Sequence, residues 1–299
     1  MQVSATTTQG AIASIWRRRH GRQEGIMSNR VHQFFLSLAA TAALLAGIAS
    51  PAGAAQITLY GSTGMLPLTT ELVQAFKSKQ SATPIEVGNG NSNASPMHGV
   101  ADGRLSLGLS SEPPGEAERA AGLRAIEIAR VAVVFAVHTS VTVPGLTTQQ
   151  LCDIYARKIK NWKWVGGADL LIVPFTRPAD EFEPTIIKKQ YSCFKEAEWV
   201  LILPKVGDMA RVLATKTGAI GMINSTYIES SHGAIRALHL NGVAPTAENV
   251  LGGVYPLVHR FFFITKGVPA GPVAQFVAFV KSADGERVIR STHAVPVKN

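Results

Sequence analysis

Residues 126–137 read IEIARVAVVFAV. A β-branched run of that length marks a strand buried on both faces, the kind found in sheets covered by helices on either side. The chain before it supports the same picture. Residues 56–60 (QITLY) alternate apolar and polar side chains and end at Gly61-Ser62-Thr63-Gly64, a strand entering a turn. Residues 66–77 then set Leu68, Leu72, Val73 and Phe76 on one face at helical spacing. A second short strand at 84–87 breaks at 88–95 (GNGNSNAS), and Pro96 suits the first turn of the next helix. A third strand at 105–109 ends at Ser110-Ser111, followed by a polar helix around 116–122.

This β-α-β-α-β alternation predicts an α/β fold with a mixed, mostly parallel sheet. In such sheets ligands gather beyond the carboxyl ends of the strands. Three small-polar loops, at 61–64, 88–95 and 110–111, each follow a strand here.

The second half repeats the logic. Residues 147–156 read as a helix capped by Thr147, 161–167 as a turn, and 170–174 as a strand leading to Thr176-Arg177. Helices are expected at 183–190 and 208–215, with a short strand at 218–222 leading to Asn224-Ser225-Thr226. Residues 255–266 (YPLVHRFFFITK) form another buried strand, and two amphipathic helices at 272–281 and 284–291 close the chain.

Length and composition set outer bounds. The 299 residues suffice for one large domain or two ordinary ones without metal or disulfide staples. With 46% hydrophobic and 16% charged residues, disorder is excluded as the dominant state. Two cysteines exclude a cysteine-rich zinc or iron–sulfur framework. Of the net +9, residues 1–54 carry +4, from Arg17, Arg18, Arg19, Arg22 and Arg30 against Glu24. The other +5 is scattered rather than gathered with aromatics into a stripe, which argues against nucleic acid as a partner.

Residues 34–48 (FFLSLAATAALLAGI) follow Arg30 and precede Ala52-Gly53-Ala54. A charged start, a short apolar run and small residues at −3 and −1 describe a secretory signal over 1–54, cleaved near Ala54. The run is shorter than the roughly 20 residues that span hydrocarbon, which disfavours an uncut anchor. A start at Met27 would leave a well-proportioned signal. Arg17–Arg19 lie too far from the apolar run for twin-arginine export. An exported chain works outside the cytoplasm, in the periplasm or its equivalent, where two thiols usually pair. Cys152 and Cys193 are therefore expected to form a disulfide closing a loop of about 40 residues, worth about 4 kcal/mol in the chain-entropy model. Two separate buried thiols are the alternative.

The order of motifs resembles the phosphate-binding, extracytoplasmic solute-binding proteins of phosphate ABC transporters. The resemblance is carried by GSTG at 61–64, GNGNSNAS at 88–95 and LGLSSEP at 107–113. It continues through LCDIYARKIKNWKWVGGADLLIVPFTR at 151–177, TGAIGMINSTYI at 217–228, YPLVHRFFFITK at 255–266 and FVAFVKSADGERVIRSTHAVPV at 276–297. It implies a periplasmic binding protein-like fold of two α/β lobes, with two crossover strands as the hinge. Residues 131–137 and 257–264 are the candidate crossovers. Lobe one would be 55–136 plus 258–299, and lobe two 137–257. A monomer that delivers phosphate or another small anionic solute to an inner-membrane ABC permease is the implied role.

Such a solute needs neutral donors and a cation. Thr63 and Gly64 match the family's first-loop donors, with Ser62 beside them as a further candidate, and Asn91 and Ser92 match its second-loop serines. Ser111, after the candidate Ser110, falls where the family carries an Asp or Ser, and Arg177 matches its binding arginine. The departure follows that arginine. The family's R-x-x-x-S-G-T becomes Arg177-Pro178-Ala179-Asp180-Glu181-Phe182-Glu183. A carboxylate about 4 Å from an anion costs about 4 kcal/mol at an effective dielectric near 20, or roughly three decades of affinity. Three outcomes are open. The acids face solvent as a helix's first turn, where the dipole favours them. Glu181 accepts a hydrogen bond from a protonated or hydroxyl-bearing ligand. Or solute binding has been lost and the fold serves sensing or contact with another envelope protein.

Other chemistry is not announced. Residues 88–93 begin like a dinucleotide fingerprint, but Asn93 replaces the third glycine, so no cofactor is expected. No nucleophile–base pair can be named, so an enzyme is not expected. His138 and His259 read as core or hinge residues, Trp162 and Trp164 as packing for lobe two, and the Asn224-Ser225-Thr226 sequon as chance.

Overall fold

The computed structural model describes residues 56–80, 83–89, 95–194 and 200–297. The expected signal at 1–54, together with Asn91 and Ser92, lies outside them.

The described strands, in chain order, are β1 (Ile57–Gly61), β2 (Ile85–Asn89), β3 (Leu107–Ser110), β4 (Leu123–His138), β5 (Gly145–Leu146) and β6 (Val173–Thr176). They continue with β7 (Leu201–Ile202), β8 (Ala219–Asn224), β9 (Ile235–Ala237), β10 (His239–Leu240), β11 (Val258–Lys266) and β12 (Ala294–Pro296). Among the described residues ten of these make one sheet, in the order β2-β1-β3-β11-β4-β8-β6-β7, with β12 and β9 also on β4. The outer trios are parallel, β2-β1-β3 at one end and β8-β6-β7 at the other. The strands joining them run antiparallel.

The result is a two-lobed α/β fold. One core gathers Leu59, Leu72, Phe76, Phe261, Phe263 and Phe276, with the Phe76 and Phe276 rings edge to face at 5.3 Å. The other gathers Phe135, Tyr155, Trp162, Phe194, Leu213 and Ile220. Each buried aromatic of this kind contributes about 1.5–3 kcal/mol of transfer free energy. The 16-residue β4 belongs to both: Ile128, Ala129 and Val131 sit in the first core, Ala132 to Val137 in the second. β11 also bridges them, with Val258 packed on the second core and Phe261 and Phe263 inside the first. The β-branched run at 126–137 is thus a strand that both lobes bury.

Local rules place the helices. Thr147 and Gln150 form a reciprocal capping box at the start of helix Thr148–Tyr155. Ser95 Oγ accepts from Met97 N at 3.2 Å ahead of Pro96, the first residue of helix Pro96–Ala101. Cys152, on helix Thr148–Tyr155, is bonded to Cys193, with the Cα atoms 5.8 Å apart. Trp162 is buried and donates from Nε1 to Gly218 O at 3.1 Å, as its packing role requires. Trp164 does not pack: it is 58% exposed, because the 3-10 turn Trp162–Val165 can send only one of the two indoles inward.

Candidate ligand-binding cavity

A cavity of about 340 Å3 opens at the carboxyl ends of β1, β3 and β6, at the lower end of the range for small-molecule pockets. Its first wall begins at Gly61. With φ at +146°, and with Leu109 O only 2.1 Å from where a Cβ would sit, this position takes no other residue. The close approach lets Ser62 N donate to Leu109 O at 2.9 Å, joining the two strand ends. The chain then turns through the 3-10 segment Thr63–Met65.

Two side chains from the second core hold that turn from behind. Tyr227 OH donates to Thr63 O at 2.7 Å, and Asn224 Nδ2 donates to Gly64 O at 3.0 Å. A trans peptide points its N–H opposite to its carbonyl. Binding the Thr63 carbonyl therefore fixes the Gly64 N–H in the other direction. Burial pushes the Tyr227 phenol pKa up, so it stays a donor. Across the wall, Ser62 Oγ and Ser111 Oγ lie 3.3 Å apart, and Ser110 Oγ donates to Glu112 O at 2.7 Å.

The second wall is ionic. Arg177 follows β6 and is only 4% exposed. Its Nη1 donates to Glu183 Oε2 at 2.7 Å, and its Nη2 meets Glu181 Oε2 at 3.0 Å and Pro204 O at 3.3 Å. Its Nε, also buried, has no hydrogen-bond partner in the protein. Glu183 is buried on helix Phe182–Gln190. Burial pushes its carboxyl pKa up, with the Arg177 charge opposing. Phe182 stacks on His259 of β11 at 3.5 Å between ring centroids. His259 is buried, and neither ring nitrogen has a partner. Burial first, and then the Arg177 charge, push its pKa down to about 3, so the ring is neutral.

Ser62, Thr63, Gly64, Ser110, Ser111, Arg177 and Glu181, which sequence reasoning singled out, all line this one cavity. So do Ser95 and Glu112, which it passed over, and Phe182, Glu183 and His259, which it named but not as ligand contacts. Of the acids after Arg177, Asp180, ahead of the helix, is exposed, Glu181 is part-exposed with its carboxylate on Arg177, and Glu183 is buried on it. The guanidinium four and six residues behind the two glutamates draws both carboxylates inward. Glu183 could have been suspected from its place on the same helical first turn as the family's donors. His259 was read as a core or hinge residue; it is buried on β11, and it also lines the cavity. Among the described residues no group of three acidic, His or Cys side chains is arranged to hold a metal ion.

Known proteins share this arrangement of chain. The phosphate-binding protein PstS of Bacillus subtilis is 29% identical over 236 residues, spanning 78% of this chain and 77% of its own. A Clostridium perfringens protein, designated a phosphate ABC transporter substrate-binding protein and solved with bound phosphate, superposes with a TM-score of 0.68. It is 28% identical, over 81% of this chain and 100% of its own. An ABC-type phosphate transport receptor from Vibrio cholerae, 24% identical over the same shares of the two chains, has the same fold at a TM-score of 0.58. Residues 46–284 match the family described as PBP superfamily domain. Two cores bridged by β4 and β11, a cavity at the strand ends between them and a family match over most of the sequence agree, and the chain belongs to the PBP superfamily.

Proposed function

We propose that this protein is an extracytoplasmic solute-binding protein that captures phosphate, a similar oxyanion or a small acidic solute in the cavity, for an ABC transporter. The observation that carries this is the meeting, in one cavity, of the neutral donors of Ser62–Gly64 and Ser110–Ser111 with the Arg177 guanidinium. Neutral hydroxyls and amides with a single fixed cation suit a small oxyanion, which needs many hydrogen bonds and little net charge. The names of the Bacillus and Clostridium relatives support the same ligand class.

In this reading the lobes are 55–136 with 258–299, and 137–257, and they close on the solute about β4 and β11. The protein acts as a monomer, without cofactor or catalysis, after its leader is cut near Ala54, and passes solute to an inner-membrane permease. Among the described residues no helix is long and apolar enough to cross a membrane. Calorimetric titration of the full chain with phosphate, sulfate, molybdate and small organic acids tests the assignment. Saturable heat with one of these anions is expected, and flat traces with all of them overturn it.

A further inference from the structure

The first turn of helix Phe182–Gln190 holds two carboxylates on one guanidinium, and the two are held differently. Glu183 is 1% exposed and has nowhere else to go. Glu181 has a side chain 38% exposed, at the helix N-cap. An N-cap side chain ordinarily accepts from a backbone N–H of the first turn. Glu181 makes no such bond and instead reaches back to Arg177 Nη2 at 3.0 Å.

Around it are buried groups still without partners. Arg177 Nε has none, and neither does either nitrogen of His259, both residues facing the cavity. A guanidinium offers five donor hydrogens in a fork, and here Nη2 is taken up by the part-exposed carboxylate of the chain itself.

We propose that Glu181 is a tethered occupant of the anion position: its carboxylate sits on Arg177 while the cavity is empty and must leave before a solute anion can take its place. The inference rests on the anion-binding reading above. It makes Glu181 a specificity-determining residue that lowers affinity, instead of a ligand contact. Two anions within hydrogen-bond reach of one guanidinium repel each other, so uptake is an exchange of carboxylate for solute. Glu183, locked in place on Nη1, stays there in both states, so the exchange takes place at Nη2. Glu181 has solvent beside it to swing into.

The test compares phosphate titrations of the native full chain with Glu181→Gln, Glu181→Ser and Asp180→Asn at constant ionic strength. Glu181→Ser places an N-cap hydroxyl at the helix start and so protects the fold. Asp180→Asn removes the same charge from the exposed neighbouring residue. Both Glu181 variants are expected to bind phosphate at least about tenfold more tightly than native, a change of about 1.4 kcal/mol. Asp180→Asn is expected to change affinity less than about threefold. Binding only by the Glu181 variants also supports the proposal. Unchanged or weaker binding in those variants, or an equal gain in Asp180→Asn, overturns it while native binding leaves the solute-binding reading standing. If native and variant proteins alike bind none of phosphate, sulfate, molybdate or organic acids, both readings fall.

Discussion

On the wall built from the ends of β1 and β3, the polar groups other than the Glu112 carboxylate are neutral and lightly tied: Tyr227 donates to Thr63 O, Asn224 to Gly64 O and Ser110 to Glu112 O. On the wall after β6 they are charged and interlocked, with Arg177 shared among Glu181, Glu183 and Pro204. A neutral wall can lose one donor and keep its shape, because each deletion removes a bond worth about 1 kcal/mol net. An ionic wall in a buried place cannot, because removing one partner leaves the other's charge desolvated and alone. Ligand strength can therefore be tuned in small steps on one side, while the other side is kept or lost as a unit.

The largest effect should come from Arg177→Ala, which strands Glu183 in the interior. A loss of about 3–5 kcal/mol in urea unfolding is expected. Changing both members, Arg177→Met with Glu183→Leu, should restore most of it. A single-mutant loss below about 1 kcal/mol would erase the contrast between the walls.

His259 gives the next largest effect, as a pH dependence. Its folded pKa of about 3 lies below the ordinary value of 6.5, so between them the unfolded chain binds the proton and the native state does not. The stability it contributes is full above about pH 6.5 and is lost as pH falls toward 3, by up to about 4 kcal/mol. Glu183 runs the other way: its raised pKa means stability is lost as pH rises from 4.5 through the folded value. Unfolding midpoints should therefore fall in the native protein as pH drops from 6.5 to 4.5, before Glu127, Asp153 and Asp169 begin to protonate in the unfolded chain, and His259→Phe should remove that part of the acid limb. An acid limb unchanged in that variant would mean the ring is not held neutral.

Smaller effects sharpen the comparison from the neutral side. Tyr227→Phe leaves the Thr63 carbonyl without its donor and should cost about 1–2 kcal/mol in unfolding free energy. It should also weaken anion binding, because the Gly64 N–H loses its fixed direction. An affinity equal to native would show that the tether does not orient the turn. Ser111→Ala should be the mildest, within about 0.5 kcal/mol of native stability. Its anion affinity should still fall about fivefold, the worth of one hydrogen bond.

Much of this was legible in advance. The 126–137 run, the GSTG turn and Ser110-Ser111 were recognisable because strand burial and strand-end loops leave signatures in residue type and spacing; Arg177 was singled out by the resemblance to the phosphate-binding family. The ionic wall was only half legible. Sequence places Glu181 and Glu183 on a helix's first turn, where acids are favoured whether or not anything faces them. Whether they point to water or to Arg177 depends on how that helix packs, and packing is not written in spacing. His259 posed the same problem, since a strand's alternation says which faces a residue can take but not that one of them borders a cavity. Trp164 was misjudged because two indoles two residues apart in a 3-10 turn cannot both reach the core.

The Cys152–Cys193 bond closes a loop that contains β6, Arg177, Glu181, Glu183 and helix Phe182–Gln190. The β1 and β3 turns lie outside it. Reduction would therefore loosen one jaw selectively, the one carrying the cation, while the jaw of hydroxyls and amides stayed put.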